Sequence, residues 1–352
     1  MPLTSTLCVS TTKISMSTSV HPPFNLANTF HVPLVGSSNG LVCLYRISLK
    51  HFIYNEFIIW NPSIRKSVRI PESNFCLPLS SLQKLFGFGF DSRTNDYKLL
   101  VFSIHAINDA VLYSLNSNTW KKVTNFAYKQ RKTENWVNYP AFVDGRFYWF
   151  MEAEKKNMVL VFDLRNEMFG EISLPEDLED LEDARDTYLK IKAFGESSIA
   201  VIHKILRDGF YESDIWVMKE YNSGAWMKLA TVGNRSVGSS EVMEFRDNGE
   251  VLVGFYTGGL NVASYNLKNG RIKNLIALRS VYGFHYAYRH VESLALLDKD
   301  MYFLEKLLNL KGGDGFEMNQ VIVALWYIMG LWPLMYSMIL LPTGRGYIQF
   351  PL

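Results

Sequence analysis

The sequence has few of the residues from which disulfide frameworks and metal sites are built. Its three cysteines, Cys8, Cys43 and Cys76, are odd in number and irregularly spaced, and no CxxC occurs. The histidines are scattered, and no cluster of cysteine and histidine has the spacing of a zinc site. The sequence therefore predicts no metal and no cofactor. Reduced thiols indicate a reducing compartment, so we expect the protein in the cytoplasm or the nucleus.

An excess of charge of one sign is also lacking. The chain has 36 Lys and Arg residues against 34 Asp and Glu residues, which gives a formal net charge of +2. Binding to phosphate backbones needs a basic surplus on one face, so this balance argues against nucleic acid as a partner. The N-terminus lacks the charged region followed by an apolar region that is typical of a signal peptide, and we expect none.

A phosphate-binding motif of the common nucleotide-binding enzymes is lacking as well. The sequence has no GxxxxGK phosphate loop. Gly87-Phe88-Gly89 lacks the third glycine of a dinucleotide turn and instead indicates a strand that packs closely against a neighbour. We therefore expect no catalytic residues.

What the sequence does contain is a repeat of about fifty residues. Five segments share an alternating apolar stretch that ends in an aromatic residue, then a polar turn, and in most cases a second apolar stretch. These segments are 57–70, 110–123, 160–174, 214–229 and 262–278. A second series of hairpins interleaves with them, with turns such as Asp144-Gly145 and Asn248-Gly249. Two alternating hairpins make four strands in each repeat.

Four strands every fifty residues or so predict an all-β fold, a kelch-like β-propeller of about six four-stranded blades. A β-sandwich is the alternative, but nothing in a sandwich makes hairpins alternate in two classes. The last hairpin of the second series turns near Asp298, and its partner hairpin is missing. The alternating segment 7–16 is expected to supply strands there, because a blade shared by both termini would close the ring.

Three regions follow from this reading: an N-terminal segment 1–34, the propeller 35–305, and a linker with an atypical apolar tail 306–352. Within the tail, residues 321–341 carry no charge and are long enough to cross a bilayer as a helix. Pro333 would kink such a helix. Three interpretations stay open: a membrane anchor, the missing hairpin of the propeller, or sequence that is not genuinely coding.

The ordered motifs of the propeller region resemble those of the plant F-box-associated domain, type 1, of F-box/kelch-repeat proteins. They include VGSSNGLVCL (35–44), FIIWNPSIRKSVRIP (57–71), FGFGFDSRTNDYKLL (86–100), AFVDGRFYW (141–149) and VFDLRNEMFGEISLPE (161–176). The series ends with VESLALL (291–297), so the resemblance covers about residues 33–300. It implies a substrate-recognition module of a Skp-cullin-F-box (SCF) ubiquitin ligase.

The resemblance does not extend to an F-box, the helical segment that docks on the Skp adaptor in this family. Residues 1–34 show neither its Leu-Pro opening nor an amphipathic helical run. The Skp adaptor and cullin are therefore expected as partners only if a missing N-terminus or a related chain supplies an F-box.

A protein-binding surface is predicted at one end of the propeller. Because strands alternate in direction, both series of hairpin turns fall on one face, and the longer links between hairpins fall on the other. Long loops on a rigid scaffold often carry binding, and aromatic residues and arginine are favoured in interfaces. We therefore expect the partner around Trp136, Tyr286, Tyr288 and Arg289. The alternative is that these aromatic side chains pack under their own loops.

The leading interpretation is thus a protein–protein interaction module. One alternative is a tail-anchored, membrane-associated propeller that acts as a scaffold or ligand binder through residues 321–341. A remote alternative is a propeller enzyme that uses carboxylates around the central channel to act on a sugar or another small molecule.

Overall fold

The computed structural model describes only part of the chain, and the remaining residues are left undescribed. The described ranges are 7–10, 29–48, 55–75, 84–103, 106–123, 140–151, 157–179, 187–219, 224–233, 240–256, 260–278, 286–289 and 291–296. The chain divides into a unit of residues 1–295 and a second unit of residues 296–352, of which only Leu296 is described. The predicted regions 1–34, 35–305 and 306–352 stay predictions.

All described strands lie in the first unit. β1 (Leu7–Ser10) precedes five sheets of four or five strands, and each of these five sheets is one blade. Blade 1 consists of β2 (Thr29–His31), β3 (Leu34–Ser38), β4 (Leu41–Ser48), β5 (Asn55–Asn61) and β6 (Lys66–Arg69). Its first strand is split in two, because β2 and β3 both pair with the same edge of β4.

The next four blades each have four antiparallel strands in sequential order. Blade 2 consists of β7 (Lys84–Asp91), β8 (Asp96–Ser103), β9 (Ala106–Ser114) and β10 (Thr119–Lys122). Blade 3 consists of β11 (Ala141–Val143), β12 (Arg146–Met151), β13 (Met158–Asp163) and β14 (Met168–Ser173), and the short helix α1 (Glu176–Glu179) follows it. Blade 4 consists of β15 (Thr187–Phe194), β16 (Ser198–Arg207), β17 (Phe210–Met218) and β18 (Trp226–Val232). Blade 5 consists of β19 (Ser240–Phe245), β20 (Glu250–Tyr256), β21 (Leu260–Asn266) and β22 (Ile272–Leu278).

The first strands of the blades lie side by side around a central axis. The chain of neighbours runs from β3 to β7, β11, β15 and β19. The last of the described strands, β23 (Tyr286–Arg289), contacts both β19 and β3. The ring of inner strands is therefore closed, and the all-β propeller predicted from the repeat is confirmed.

The prediction of about six four-stranded blades is wrong, because the described residues form five. Between blade 5 and blade 1, the structure places a two-stranded sheet in which β23 pairs in parallel with β1. The hairpin near Asp298, which the prediction counted toward a sixth blade, lies outside the described residues. So do residues 321–341, and none of the helices in the described ranges is long and apolar enough to cross a membrane.

The turn between the third and fourth strands of a blade shows why the repeat folds as it does. In four blades, a polar side chain at the end of the third strand accepts a hydrogen bond from a backbone N–H two or three residues later. The residue four positions later then has a positive φ. The polar residues are Asn61, Ser114, Asp163 and Asn266, and the positive-φ residues are Arg65, Asn118, Glu167 and Gly270. Asn, Asp and Ser favour such turns because their side chains can replace a backbone acceptor. The four observed turns confirm the hairpins predicted from polar turns.

The hydrophobic core lies between neighbouring blades. Phe102 of blade 2 packs edge to face on Trp149 of blade 3, and both side chains are fully buried. Similar clusters join blade 3 to blade 4 and blade 4 to blade 5. Each blade thus buries its apolar faces against its neighbours, and this burial is the main favourable contribution to folding.

Gly87 and Gly89 lie where blade 2 meets blade 3. A Cβ atom at Gly87 would lie 2.9 Å from the ring of Phe147, and one at Gly89 would overlap the ring of Phe142. Only glycine leaves room for these rings. The prediction that Gly87-Phe88-Gly89 packs closely against a neighbour is therefore confirmed.

Candidate protein-binding cleft

The two ends of the propeller carry different kinds of connection. The turns between first and second strands and between third and fourth strands close at one end, for example at Asp144-Gly145 and at 164–167. We call this end the turn face. The connections between second and third strands, and those from one blade to the next, lie at the opposite end, which we call the link face. β15 and β19 both begin at the link face.

A cleft opens between blades 4 and 5 near the link face. Its volume is about 210 Å³. It is lined by Tyr188, Lys190, Ile202, Lys204, Ser213, Glu241 and Val242. We call this site the link-face cleft.

The register of blade 4 places one wall of the link-face cleft. Side chains alternate between the two faces of a strand, so Tyr188 and Lys190 point to the same side of β15. Across the sheet, Tyr188 lies opposite Lys204, and Lys204 lies opposite Ser213. The three side chains therefore form one row over β15, β16 and β17.

Glu241 at the start of β19 contributes the charge on the opposite wall. It forms an ion pair with Lys190 across the two blades. Burial by itself would raise the pKa of Glu241, but Lys190, Lys204 and Lys192 lower the pKa further than burial raises it. The carboxyl group is therefore held below its usual pKa range and is negatively charged at neutral pH.

Lys204 is the cleft cation that forms no ion pair with any of the described residues. Its Nζ atom lies 4.6 Å from the centroid of the Tyr211 ring. No residue in the described ranges forms a hydrogen bond or an ion pair with this ammonium group. Burial lowers the pKa of Lys204, and Lys190 lowers it too, while Glu241 acts in the opposite direction. The ammonium group is thus partly desolvated, and in the described structure the Tyr211 ring and the longer-range attraction of Glu241 offset part of that cost.

Ser213 is the buried polar group beside Lys204. The residue is 1% exposed, and its Oγ atom has no hydrogen-bond partner within the part of the chain that the structure describes. Its neighbour Asp214, on the other side of the strand, is in the opposite situation. The Asp214 carboxylate accepts hydrogen bonds from Arg207 at 2.6 Å and from Thr231 at 2.6 Å, and lies 2.9 Å from Lys228 Nζ.

These side chains fit the recognition of another molecule better than covalent chemistry. Tyr188, Ile202 and Val242 supply apolar wall, while Lys204 and Ser213 supply unused hydrogen-bond donors. A nucleophilic serine needs a base within hydrogen-bond reach, and Ser213 has none among the described residues. Across the described ranges, no group of three or more His, Cys, Asp or Glu residues could hold a metal ion.

The residues predicted to bind a partner lie only partly in the described structure. Trp136 lies outside the described residues. Tyr286, Tyr288 and Arg289 belong to β23, whose backbone pairs with β1 and lies beside β19. Their backbone is thus in an inner strand rather than in a loop, next to the strand that carries Glu241.

Sequence reasoning did not single out Lys204 and Ser213. The available signal was local: Lys204 interrupts the apolar strand SIAVIHKILR, and Ser213 directly precedes the fourth repeat segment, 214–229. A polar residue in such a position needs a partner when it is buried. The sequence does not show which strands would enclose it.

Charged residues near the turn face form a different arrangement. Lys98 Nζ donates to Asp91 at 2.7 Å and lies 3.4 Å from Glu167, which also pairs with Lys121 at 2.6 Å. Asp91 accepts further hydrogen bonds from Thr94 Oγ1 and from the backbone N–H of Arg93. This group, which we call the turn-face network, joins blades 2 and 3 and has a partner for every charge.

Comparison with known proteins gives a family match over most of the chain. A family model described as the F-box associated beta propeller domain matches residues 4–270. An F-box/kelch-repeat protein of Arabidopsis thaliana is 23% identical over 247 residues, which cover 68% of this chain and 62% of that protein. An F-box protein of the same plant is 25% identical over 294 residues, which cover 69% of this chain and 65% of that protein. The chain spans less than two thirds of the length of these relatives.

Among solved structures, a chain in the crystal structure of the nidogen/laminin complex aligns with a TM-score of 0.43 and 9% identity. The alignment covers 74% of this chain and 86% of that chain. The SapL1 lectin in complex with alpha methyl fucoside aligns with a TM-score of 0.41 and 12% identity, over 70% of this chain and 80% of that chain.

Proposed function

The chain belongs to the F-box associated beta propeller domain family, and from that premise we propose that it is a protein–protein interaction module that binds its partner at the link face. The observation that carries this proposal is the link-face cleft, where Lys204 and Ser213 have donors without acceptors in the described structure. Buried donors normally find acceptors within the fold. Ser213 is such an exception among the described residues, and the half-buried Lys204 beside it has no hydrogen-bond or ion-pair partner there, so we infer that a second molecule supplies the acceptor.

The finer proposal is that the module is the substrate-recognition part of an SCF-type ubiquitin ligase receptor. The two Arabidopsis relatives, which are F-box proteins by name, support this role. The Skp adaptor and cullin would join through an F-box, which a further segment or a related chain would supply. We propose that the module acts in the cytoplasm or the nucleus, because its few and irregularly spaced cysteines favour a reducing compartment.

The proposed module acts by binding alone, without catalysis or a cofactor. Ser213, the hydroxyl that could attack a substrate, has no base beside it in the described structure. Glu241 is engaged by Lys190, which leaves its carboxylate poorly placed to accept a proton. Both observations favour a binding role for the cleft.

The test is affinity purification of the tagged full-length chain from plant cells, read by mass spectrometry. The wild-type chain is compared with Lys204→Glu, which reverses the charge in the link-face cleft. Lys268→Glu makes the same change on the turn face, where Lys268 is exposed, and is the matched control. We expect Lys204→Glu to lose partners that wild type and Lys268→Glu retain.

Equal capture by all three chains would contradict binding at the link face. Capture of Skp and cullin subunits by the wild-type chain would support the receptor role. Capture of other proteins without ligase subunits would leave the interaction module in place and contradict the ligase role. Circular dichroism of each purified variant checks that the fold is intact.

A further inference from the structure

The row of Lys204 and Ser213 defines what kind of group the link-face cleft lacks. The two residues lie directly opposite each other in the pairing of β16 with β17. An ammonium group has only donors, and a hydroxyl group without a partner can donate as well. Leaving both unpaired in a partly desolvated cleft costs free energy. The missing group is therefore an acceptor, and an anion would satisfy both donors.

The charges already present set the charge of that anion. Lys190 forms an ion pair with Glu241, and Lys192 also acts on that carboxylate. Lys204 is then the cleft cation without an ion-pair partner among the described residues, which matches a single negative charge. A dianion such as a phosphoryl group would meet stronger repulsion from Glu241 in the same cleft.

The volume and the walls of the cleft indicate the size of the ligand and the apolar part that carries its anionic group. A volume of about 210 Å³ accepts one side chain and its backbone rather than a folded domain. The apolar surfaces of Ile202 and Val242 suit a methylene stem, and the half-exposed ring of Tyr188 can cover it. A carboxylate on a short apolar stem has this combination of properties.

We propose that the link-face cleft binds the carboxylate of a glutamate or aspartate side chain in an extended acidic segment of the partner protein. The carboxylate accepts hydrogen bonds from Lys204 Nζ and Ser213 Oγ, and its stem packs on Ile202 and Val242. This inference rests on the proposed function and names the chemistry of the partner at the same site.

The test measures binding of fluorescently labelled peptides to the purified full-length chain by fluorescence anisotropy. The probe is a ten-residue peptide of alternating Glu and Ser, and the same peptide with Gln in place of Glu is the uncharged comparison. We expect the Glu peptide to bind at least about tenfold more tightly than the Gln peptide, and to weaken as salt is raised. Equal binding of the two peptides, or no binding of the Glu peptide at millimolar concentration, would overturn the proposal.

Variants of the cleft locate the binding site. Lys204→Met is expected to weaken binding of the Glu peptide by about tenfold, while Lys204→Arg, which keeps the charge, retains most of it. Lys268→Met on the turn face is the matched control and should bind as wild type. If Lys204→Met failed to fold, Ser213→Ala would serve in its place, with an expected loss of about threefold. Unchanged binding in the folded cleft variants would overturn the assignment.

A third peptide separates the carboxylate from the phosphoryl group. It has phosphoserine and Gln in alternation, and we expect it to bind no more tightly than the Glu peptide. Clearly tighter binding of the phosphoserine peptide would overturn the carboxylate as the preferred ligand. If neither acidic peptide bound while the affinity purification still showed partners that depend on Lys204, this inference would fail and the proposed function would stand. Loss of both results would contradict both.

Discussion

Charged and polar side chains have opposite surroundings in the turn-face network and in the link-face cleft. In the turn-face network, Lys98 and Asp91 lie 2.7 Å apart with side chains that are 6% and 0% exposed, and Glu167 completes the set. In the link-face cleft, Lys204 and Ser213 find no such partners among the described residues. A charged side chain whose partners all belong to the same chain contributes to the stability of the fold. In a cleft that another molecule can enter, a donor without an acceptor among the described residues can take its acceptor from that molecule, and the proposed function rests on this contrast.

The largest effect is expected from breaking the turn-face network. Asp91→Ala leaves the buried ammonium of Lys98 without its nearest anion, and an uncompensated buried charge costs about 3–5 kcal/mol. The free energy of unfolding, measured by urea denaturation at neutral pH, should fall by that amount. The double variant Asp91→Ala/Lys98→Met is the control and should recover much of the loss, because the stranded charge is gone. A loss below about 1 kcal/mol in the single variant would show that Glu167 takes over from Asp91.

A smaller effect is expected at Asp214, the paired neighbour of unpaired Ser213. Burial would raise the pKa of Asp214, but hydrogen bonds from Arg207, Thr231 and Lys228 lower it well below its usual range. The folded-state pKa is thus below the unfolded value of about 3.9, so the stabilisation is fully present above that value. It is lost as the pH falls through the folded-state pKa.

Asp214→Asn should therefore lower the free energy of unfolding by about 2 kcal/mol at neutral pH. The difference between wild type and variant should shrink as the pH is lowered from about 5 to about 2. Urea denaturation of both proteins across this pH range measures it. A difference that stays constant with pH would mean that the Asp214 carboxylate does not supply this stabilisation.

The turns were predictable from sequence because their chemistry is local. Asn61 and Asp163 act on N–H groups within three residues of themselves, so the hairpins can be identified without knowing the ring. The cleft was not predictable, because Tyr188, Lys204 and Glu241 come from three strands in two blades. The blade count failed for the same reason: β1 and β23 lie at opposite ends of the described chain, and their parallel pairing is not a local feature.

The next effect concerns one of these local turns, which also makes a distant contact. Asn61 is fully buried, and its Nδ2 atom donates to the carbonyl oxygens of Ser293 at 2.9 Å and Ala295 at 2.8 Å. Asn61→Ala leaves both acceptors and the Ser63 N–H without this partner, so we expect a loss of about 1–2 kcal/mol in urea denaturation. Asn266→Ala is the matched control, since Asn266 caps the equivalent turn in blade 5 through exposed hydrogen bonds alone. Equal losses in the two variants would indicate that the distant contact adds nothing.

The smallest expected effect is a gain in the free energy of unfolding rather than a loss, and it tests the comparison of the two regions most directly. Ser213→Ala removes a buried hydroxyl that has no partner, so the free energy of unfolding should stay the same or rise by up to about 1 kcal/mol. Ser264→Ala is the matched control in blade 5: Ser264 is equally buried, but its hydroxyl donates to Glu250 and accepts from Arg246. That variant should lose about 1 kcal/mol in the same urea titration. If Ser213→Ala lost as much as Ser264→Ala, the Ser213 hydroxyl would have a partner in the folded protein, and the link-face cleft would be complete without a ligand.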